Sequence, residues 1–297
     1  MNRAFALIGA LLLATITVSS ACMAAVDDGL RFTLESERNG DGGKIHANFR
    51  EHRRGNDGND WSSGFTPSEL IGLDISGFRS SGTRPLRFAL IREAGRLDCA
   101  GNGGASYATG DCRFTADPAF TQLLVSRGIA RPSPEQGLGL MALNVRRDLI
   151  DAIGSARYPA PTINELMSLT AVGVDGRYIS DLAHVGYRPR SIQSLVEFKA
   201  LGVTPAWIGG FLRIGRSDFP QDGLVQLKAM DITPEYVAGF DRVGYRNLSV
   251  ETLVQLKAMD ITPEFVRSNV GRRSTMPPIQ ELVQLKLFGR PSSVGRH

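Results

Sequence analysis

The feature that most constrains this chain is a register of twenty-nine residues that returns without insertion from Asp117 to about Pro291. One column reads Phe120, Leu149, Tyr178, Trp207, Tyr236 and Phe265, all large and apolar. A second is Leu166, Leu195, Leu224, Leu253 and Leu282, and a third is Leu140, Leu169, Phe198, Leu227, Leu256 and Leu285. Such self-similarity marks a stacked array, in which each unit buries its apolar face only against its neighbours.

Polar columns between the apolar ones place the helix ends. Ser133, Thr162, Ser191, Pro220, Ser249 and Pro278 start a helix A, and Thr162 with Glu165 has capping-box spacing. Eleven positions on, Asn144, Gly173, Gly202, Asp231, Asp260 and Gly289 are residue types that accept the left-handed conformation ending a helix. Asp117, Asp175, Thr204, Thr233 and Thr262 then cap a helix B. Pro118, Pro205, Pro234 and Pro263 follow at its first position, where a missing N–H is harmless. Gly128, Gly186, Gly215 and Gly244 close it, with Arg157 and Arg273 breaking that column. Each repeat is thus two helices of about ten residues, too short to be stable alone in water. Tyr158, Tyr187 and Tyr245 should supply the apolar contact that accompanies a helix-B stop, and the aromatic column should be core. Asn269 stands in the column of Ile153, Leu182, Phe211 and Phe240, which suggests a terminal unit with a more polar face.

Upstream, Arg3 and the apolar run from Ala4 to Val18, followed by small residues to Ala24-Ala25, read as a secretory signal peptide. The run is too short for a membrane span, and none after it is longer. Cys22 also allows a lipid-anchored reading, although Ser19 stands where a lipoprotein site usually has Leu. With export, Cys99 and Cys112 remain in an oxidising compartment. Leu97 and Cys99 alternate on one strand and Cys112 and Phe114 on the next. One antiparallel register sets Leu97 opposite Phe114 and Cys99 opposite Cys112, within disulfide reach. The bridge would close the Gly-rich stretch Gly101–Gly104 and stabilise by roughly 3 kcal/mol.

Period-two alternation at Phe32 and Leu34, at Ile45, Ala47 and Phe49, and at Leu86, Phe88 and Leu90 completes an antiparallel sheet of five or six strands. Turn clusters at 39–43 and 53–60 separate them, and a short helical or turn segment lies near Pro67 to Leu73. One face should pack on the first helices. The fold class is therefore α+β. A signal peptide at 1–24 precedes an antiparallel β module at 25–116, an α-solenoid of about six two-helix repeats at 117–291, and a tail at 292–297.

The runs Ile232-Thr233-Pro234-Glu235-Tyr236-Val237 and Val243-Gly244-Tyr245-Arg246-Asn247-Leu248-Ser249 return nearly verbatim around Ile261 to Val266. They resemble a helical-repeat family of bacterial exported proteins. In some relatives such repeats follow a BlaR-type sensor metallopeptidase or accompany extracytoplasmic sigma-factor signalling. Gly110 to Phe120 is similar to the strand-to-helix passage before those repeats. The resemblance implies an envelope location and protein contact, and the activity of that family is largely unassigned. This chain lacks the His-Glu-x-x-His motif of the peptidase, so no catalytic residue carries over.

The residues themselves offer little chemistry. His46, His52, His184 and His297 are scattered without zinc-ligand spacing. Gly137 to Ala142 fits the letters of a dinucleotide fingerprint but lies inside a helix A and follows no strand. Asp57-Gly58-Asn59-Asp60 has oxygen-rich side chains suited to a weak calcium site or, more simply, to a hairpin turn. Glu35 and Glu37 share a strand face as paired or merely solvated carboxylates. Lys199, Lys228, Lys257 and Lys286 form a row, one per repeat. The row either attracts an acidic partner or anionic envelope polymer or offsets helix dipoles. The net charge of +4 and pI near 9.1 are too modest to argue nucleic acid. The reading is a periplasmic or secreted, non-enzymatic interaction or regulatory module without cofactor or metal. The rivals are an enzyme or ligand-binding protein with its site between the loops around Asp57 and Gly103, and a structural envelope protein.

Overall fold

The computed structural model describes residues 29–36, 43–51, 60–270 and 276–289. The expected signal peptide, Cys22, Glu37, His52, Asp57, Gly58, Asn59, Arg273, Pro291, His297 and the tail lie outside the described residues. The remainder is an α+β fold, a six-stranded antiparallel sheet followed by a helical repeat array.

The sheet comprises β1 (Leu30–Ser36), β2 (Ile45–Glu51), β3 (Asp60–Phe65), β4 (Arg84–Arg92), β5 (Gly95–Gly104) and β6 (Tyr107–Ala116), in the order β3-β2-β1-β6-β5-β4. The alternation of apolar residues puts Phe32, Leu34, Ile45, Phe49, Phe88, Leu90 and Leu97 on one buried face. Residues 66–74 form a turn and a single bridge in which Ile71 and Ala89 exchange backbone hydrogen bonds. The short helix α1 (Ile75–Arg79) follows, slightly beyond the expected segment, with Asp74 as its cap. Ile71 lies only six residues after β3, a reach of roughly 20 Å, whereas six flat strands would set the two edges about 24 Å apart. The sheet therefore curls, and Arg92 at the end of β4 lies 6.0 Å from the Trp61 ring and 5.6 Å from the Phe65 ring of β3.

The cysteine register is as expected: Leu97 pairs with Phe114 and Cys99 with Cys112, and a disulfide joins the two cysteines across a Cα–Cα distance of 4.1 Å. One expectation is corrected. Gly101–Gly104 is strand, not loop, and the turn is the two residues Ala105 and Ser106. The glycines are there for packing. A Cβ on Gly103 would come within 2.7 Å of Leu86, one on Gly101 would strike the Thr109 carbonyl of the facing strand, and on that strand one on Gly110 would come within 2.8 Å of the Phe32 ring.

Helix-B elements are α2 (Pro118–Ser126), α4 (Arg147–Ser155), α6 (Gly176–His184), α8 (Pro205–Arg213), α10 (Pro234–Arg242) and α12 (Pro263–Val270). Helix-A elements are α3 (Pro134–Ala142), α5 (Ile163–Ala171), α7 (Ile192–Ala200), α9 (Gln221–Ala229), α11 (Val250–Ala258) and α13 (Ile279–Phe288). The axes of α7 and α8 meet at 94°. Every residue of the helix-A stop column has positive φ, from 49° at Asp231 to 82° at Gly173. The bonds there are those of a Schellman end: Val174 N–H donates to Leu169 O and Gly173 N–H to Thr170 O. Like rows pack on like, α3 on α5 and α4 on α6, and a Cβ on Gly210 or Gly239 would strike Pro234 or Pro263 of the next helix B at 2.5 Å. Asn269 turns its amide back onto Phe265 O. The final described helix is less polar than expected, leaving Leu287 57% and Phe288 82% exposed.

Among the described residues no single helix is long and apolar enough to cross a membrane.

Candidate functional site

The lysine row lies between repeats. Lys199 Nζ sits 4.5 Å from the Tyr178 ring centre, Lys228 5.6 Å from Trp207, Lys257 5.4 Å from Tyr236 and Lys286 5.3 Å from Phe265. Each lysine of a helix A thus covers the aromatic of the helix B before it, a cation–π contact. Two also donate to the previous helix-A end, Lys257 to Asp231 O at 2.9 Å and Lys286 to Asp260 O at 2.8 Å. The dipole they offset belongs to the preceding repeat, not to their own helix. All four are half-buried, and this engagement favours a stapling role over that of a free basic surface. The aromatic column is core at Phe120, Leu149 and Tyr178 and half-buried from Trp207 onward.

The tip of the β4–β5 hairpin docks into the first full repeat through two neighbouring residues. Arg92 donates through Nη1 to Met141 O at 2.8 Å and to Ala142 O at 2.5 Å, meeting the carbonyl end of α3. Glu93 accepts the Arg147 N–H at 2.7 Å, which supplies the cap that Arg146 does not give α4. Burial pushes the Arg92 guanidinium below its ordinary pKa, with Glu69 partly opposing the shift. Opposite charges thus meet opposite helix ends, and the sheet is fixed to the solenoid there.

Beside this joint is a cleft of about 580 Å³. One side is Glu51, Trp61, Ser62, Ser63 and Arg92, and the other carries Leu138, Ala142 and Leu143 of α3 with Met167 and Ala171 of α5. Leu143 is 39% exposed. Trp61 stacks on Phe49 at 4.2 Å, and its indole N–H is buried without an acceptor. Glu135 lies on the rim and accepts the Ser133 hydroxyl. Clefts of this size at the meeting of two modules, apolar with a few polar groups, are where binding sites concentrate.

Of these lining residues only Leu138 and Ala142 fall in a stretch that the sequence marks out, the fingerprint-like run Gly137 to Ala142. The alternation Trp61, Ser63, Phe65 was a strand signal hidden beside a turn cluster. That Arg92 and Glu93 face helix ends is a tertiary fact with no local signature.

The other candidates are dispersed. His46 pairs across strands with Glu35 on the outer sheet face, and His184 bonds the Ser180 carbonyl through Nδ1. Asp60 pairs with Arg50 at 2.8 Å. Gly137 and Gly139 sit inside α3, where a Cβ would come within 3.2 Å of the Phe114 ring and 2.8 Å of Met167 Sδ respectively, so close helix packing accounts for both. Among the described residues no group of three or more His, Cys, Asp or Glu gathers to hold a metal ion. No protein-family model and no curated protein matches the chain.

Proposed function

We propose that this chain is an exported, non-enzymatic interaction module of the bacterial cell envelope, working in envelope signalling, whose partner docks at the junction of sheet and solenoid. The observation that carries this reading is the cleft itself, an open, largely apolar recess held between two rigidly joined modules. The disulfide is compatible with export. The repeat motif around Thr233 and Thr262 supplies the resemblance to exported repeat proteins, and stacked repeats present extended surfaces suited to protein contact.

The test is a photo-crosslinking side chain placed at Leu143 in the full-length protein in cells, with the same side chain at exposed Ser180 as control. One dominant envelope protein captured from position 143 and missing from position 180 is the expected result. Equal, broad capture from both positions overturns the reading.

A further inference from the structure

The junction cleft opens on the edge of the sheet. Trp61 and Ser63 turn to the inner face of β3, opposite Phe49 and Ala47, and Ser62 turns to the outer face, opposite Asn48, yet all three line the cleft. Consecutive residues of a strand share only its edge. Which backbone groups reach that edge follows from one bond. Ser36 N–H donates to Ser106 O on the β6 side, so alternation along antiparallel strands turns Arg31, Thr33 and Glu35 of β1 toward β2. Their partners Arg50, Asn48 and His46 face back, and Phe49, Ala47 and Ile45 face β3. Trp61, Ser63 and Phe65 therefore bond to β2, and Ser62 and Gly64 hold their N–H and C=O groups outward. Among the described residues no backbone group bonds to that outer side.

The other edge of the sheet is guarded. On β4, Ala89 exchanges both its outward bonds with Ile71, and Pro85, outward by the same alternation, has no N–H to offer. β3 carries no Pro, no Lys and no bulge, the usual devices that keep a free edge from pairing. Across the cleft from it stand Leu138, Ala142, Leu143, Met167 and Ala171. The ionic groups of the lining are engaged, Arg92 with the end of α3 and Glu51 and Glu135 with partners of their own. One side thus offers main-chain bonds and the other an uncharged aliphatic wall, the two halves of a strand-addition site.

We infer that β3 receives an extended segment of a partner protein, which adds an antiparallel strand to the six of the sheet and packs uncharged aliphatic side chains on α3 and α5. Residues of the segment opposite Ser62 and Gly64 exchange N–H and C=O bonds with them and turn their side chains to the outer, solvent face. The residues between them carry the aliphatic side chains inward. The inference rests on the proposed docking of a partner at this cleft and adds the form of the docked segment.

The chain has two tryptophans, so replacing Trp207 by Phe, the residue found at position 265 of the same column, leaves Trp61 as the sole indole reporter. The full-length W207F protein is titrated with N-acetyl-Thr-Val-Thr-Val-Thr-amide and with versions methylated at the backbone nitrogens either of Thr or of Val. The expected result is a saturable change in Trp61 emission that persists when the Val nitrogens are methylated. Methylating the Thr nitrogens, which face β3, should weaken it about tenfold. Ser62→Pro should also lose the response, because it removes an outward N–H and leaves the bonds to β2 in place. Ser62 is exposed, and an unchanged far-UV circular dichroism spectrum verifies that this variant folds. No saturable response, full binding of the Thr-methylated peptide, equal loss with both methylated peptides, or a response that survives Ser62→Pro overturns the inference. If the peptides fail while crosslinking from position 143 still captures one protein, only the added strand is wrong. If both fail, the docking site itself is wrong.

Discussion

Arg216 is the residue at which the repeat departs from its own rule. Its column holds Ile129 in the first unit and then Tyr158, Tyr187 and Tyr245, and the hydroxyls of Tyr158 and Tyr245 donate across to Pro189 O and Pro277 O of the next unit. Arg216 performs the same crossing with Nη2 to Leu248 O at 2.8 Å. It brings a charge with it: the side chain is 5% exposed, lies 3.9 Å from the Phe219 ring centre, and has a buried Nη1 without an acceptor. Asp218 compensates through bonds of 2.8 and 3.0 Å, and the Arg216 guanidinium holds the Asp218 carboxyl below its ordinary range. A depressed carboxyl pKa contributes stability above the unfolded value of about 3.9 and loses it as pH falls through the folded value. Asp218→Asn should therefore be less stable than the parent at pH 7, with the gap narrowing as pH falls from about 5 to about 3, as read by urea denaturation. A gap that stays constant over that range would exclude the pairing. A second residue-scale strain sits in the β5–β6 turn, where Ala105 and Ser106 have φ of 52° and 66°. Both are held by backbone bonds to α1, Ala105 N–H to Ser80 O and Ser106 N–H to Phe78 O. Left-handed conformations cost non-glycine residues about 1–2 kcal/mol, less for Asn. The double change Ala105→Asn, Ser106→Gly should raise stability by about 1 kcal/mol, seen as a higher melting temperature with the hairpin register unchanged.

At the scale of elements, neighbouring repeats are held by a contact that recurs every twenty-nine residues: lysine over aromatic, with the lysine against the previous helix-A end. Lys257 and Tyr236 provide a test, in which each single variant also loses a further bond, Lys257 to Asp231 O and the Tyr236 hydroxyl to Ile261 O, that the cycle cancels. A double-mutant cycle with Lys257→Met and Tyr236→Leu should give a coupling of about 0.5–1 kcal/mol, the worth of a partly exposed cation–π pair. Zero coupling would return the row to solvent. Removing the hairpin disulfide with Cys99→Ala and Cys112→Ala should cost about 3 kcal/mol in denaturant titrations, since the bridge restrains the unfolded chain. The same elements show where sequence reasoning reached and where it stopped. Helix ends were legible because caps are local. Ser133, Thr162, Asp117 and Asp175 each accept the expected first-turn N–H, and the stop column takes positive φ throughout. Period two exposed five strands, and the cysteine positions fixed one register. The true turn at Ala105–Ser106 was hidden, because glycines placed for packing under Leu86 and against the Thr109 carbonyl imitate a loop. The cap on α4 was unreadable for another reason: Glu93 supplies it from a hairpin 54 residues upstream of Arg147. The junction cleft belongs to that same class of long-range facts, built by helix–sheet docking and not by any periodic column.

Across the whole molecule, apolar burial runs from the sheet into the array in two clusters, with half-buried Tyr236 and Leu248 packed against both. One buried cluster runs from Leu30 through Leu253, and a second, smaller one gathers Phe240, Tyr245, Leu256, Ile261, Val266, Val270 and Leu282. Stacked repeats gain stability from nearest neighbours, so a local loss should spread only as far as adjacent units fail to compensate. Leu140 and Leu256 occupy equivalent positions in α3 and α11 and are 1% and 0% exposed. Truncating either to Ala removes similar contacts, worth about 2–5 kcal/mol. The consequences should nonetheless differ. Leu140 lies in α3, which packs on β5 and β6 and receives Arg92 at its carbonyl end, so its loss weakens the sheet–solenoid joint. Hydrogen exchange in Leu140→Ala should therefore accelerate in β5, β6 and α2 to α5 together. In Leu256→Ala the acceleration should be confined to α10 through α13, with amides of the sheet and of α3 protected as in the parent. The same spectra bear on binding, because a cleft shaped by α3, α5 and the hairpin tip keeps its form only while that joint is closed. Capture of a partner by the crosslinking side chain at position 143 should fall in Leu140→Ala and persist in Leu256→Ala. Exchange that rises uniformly over all helices in both variants would mean that the chain unfolds as one unit, and the joint would then have no independent role in holding the cleft.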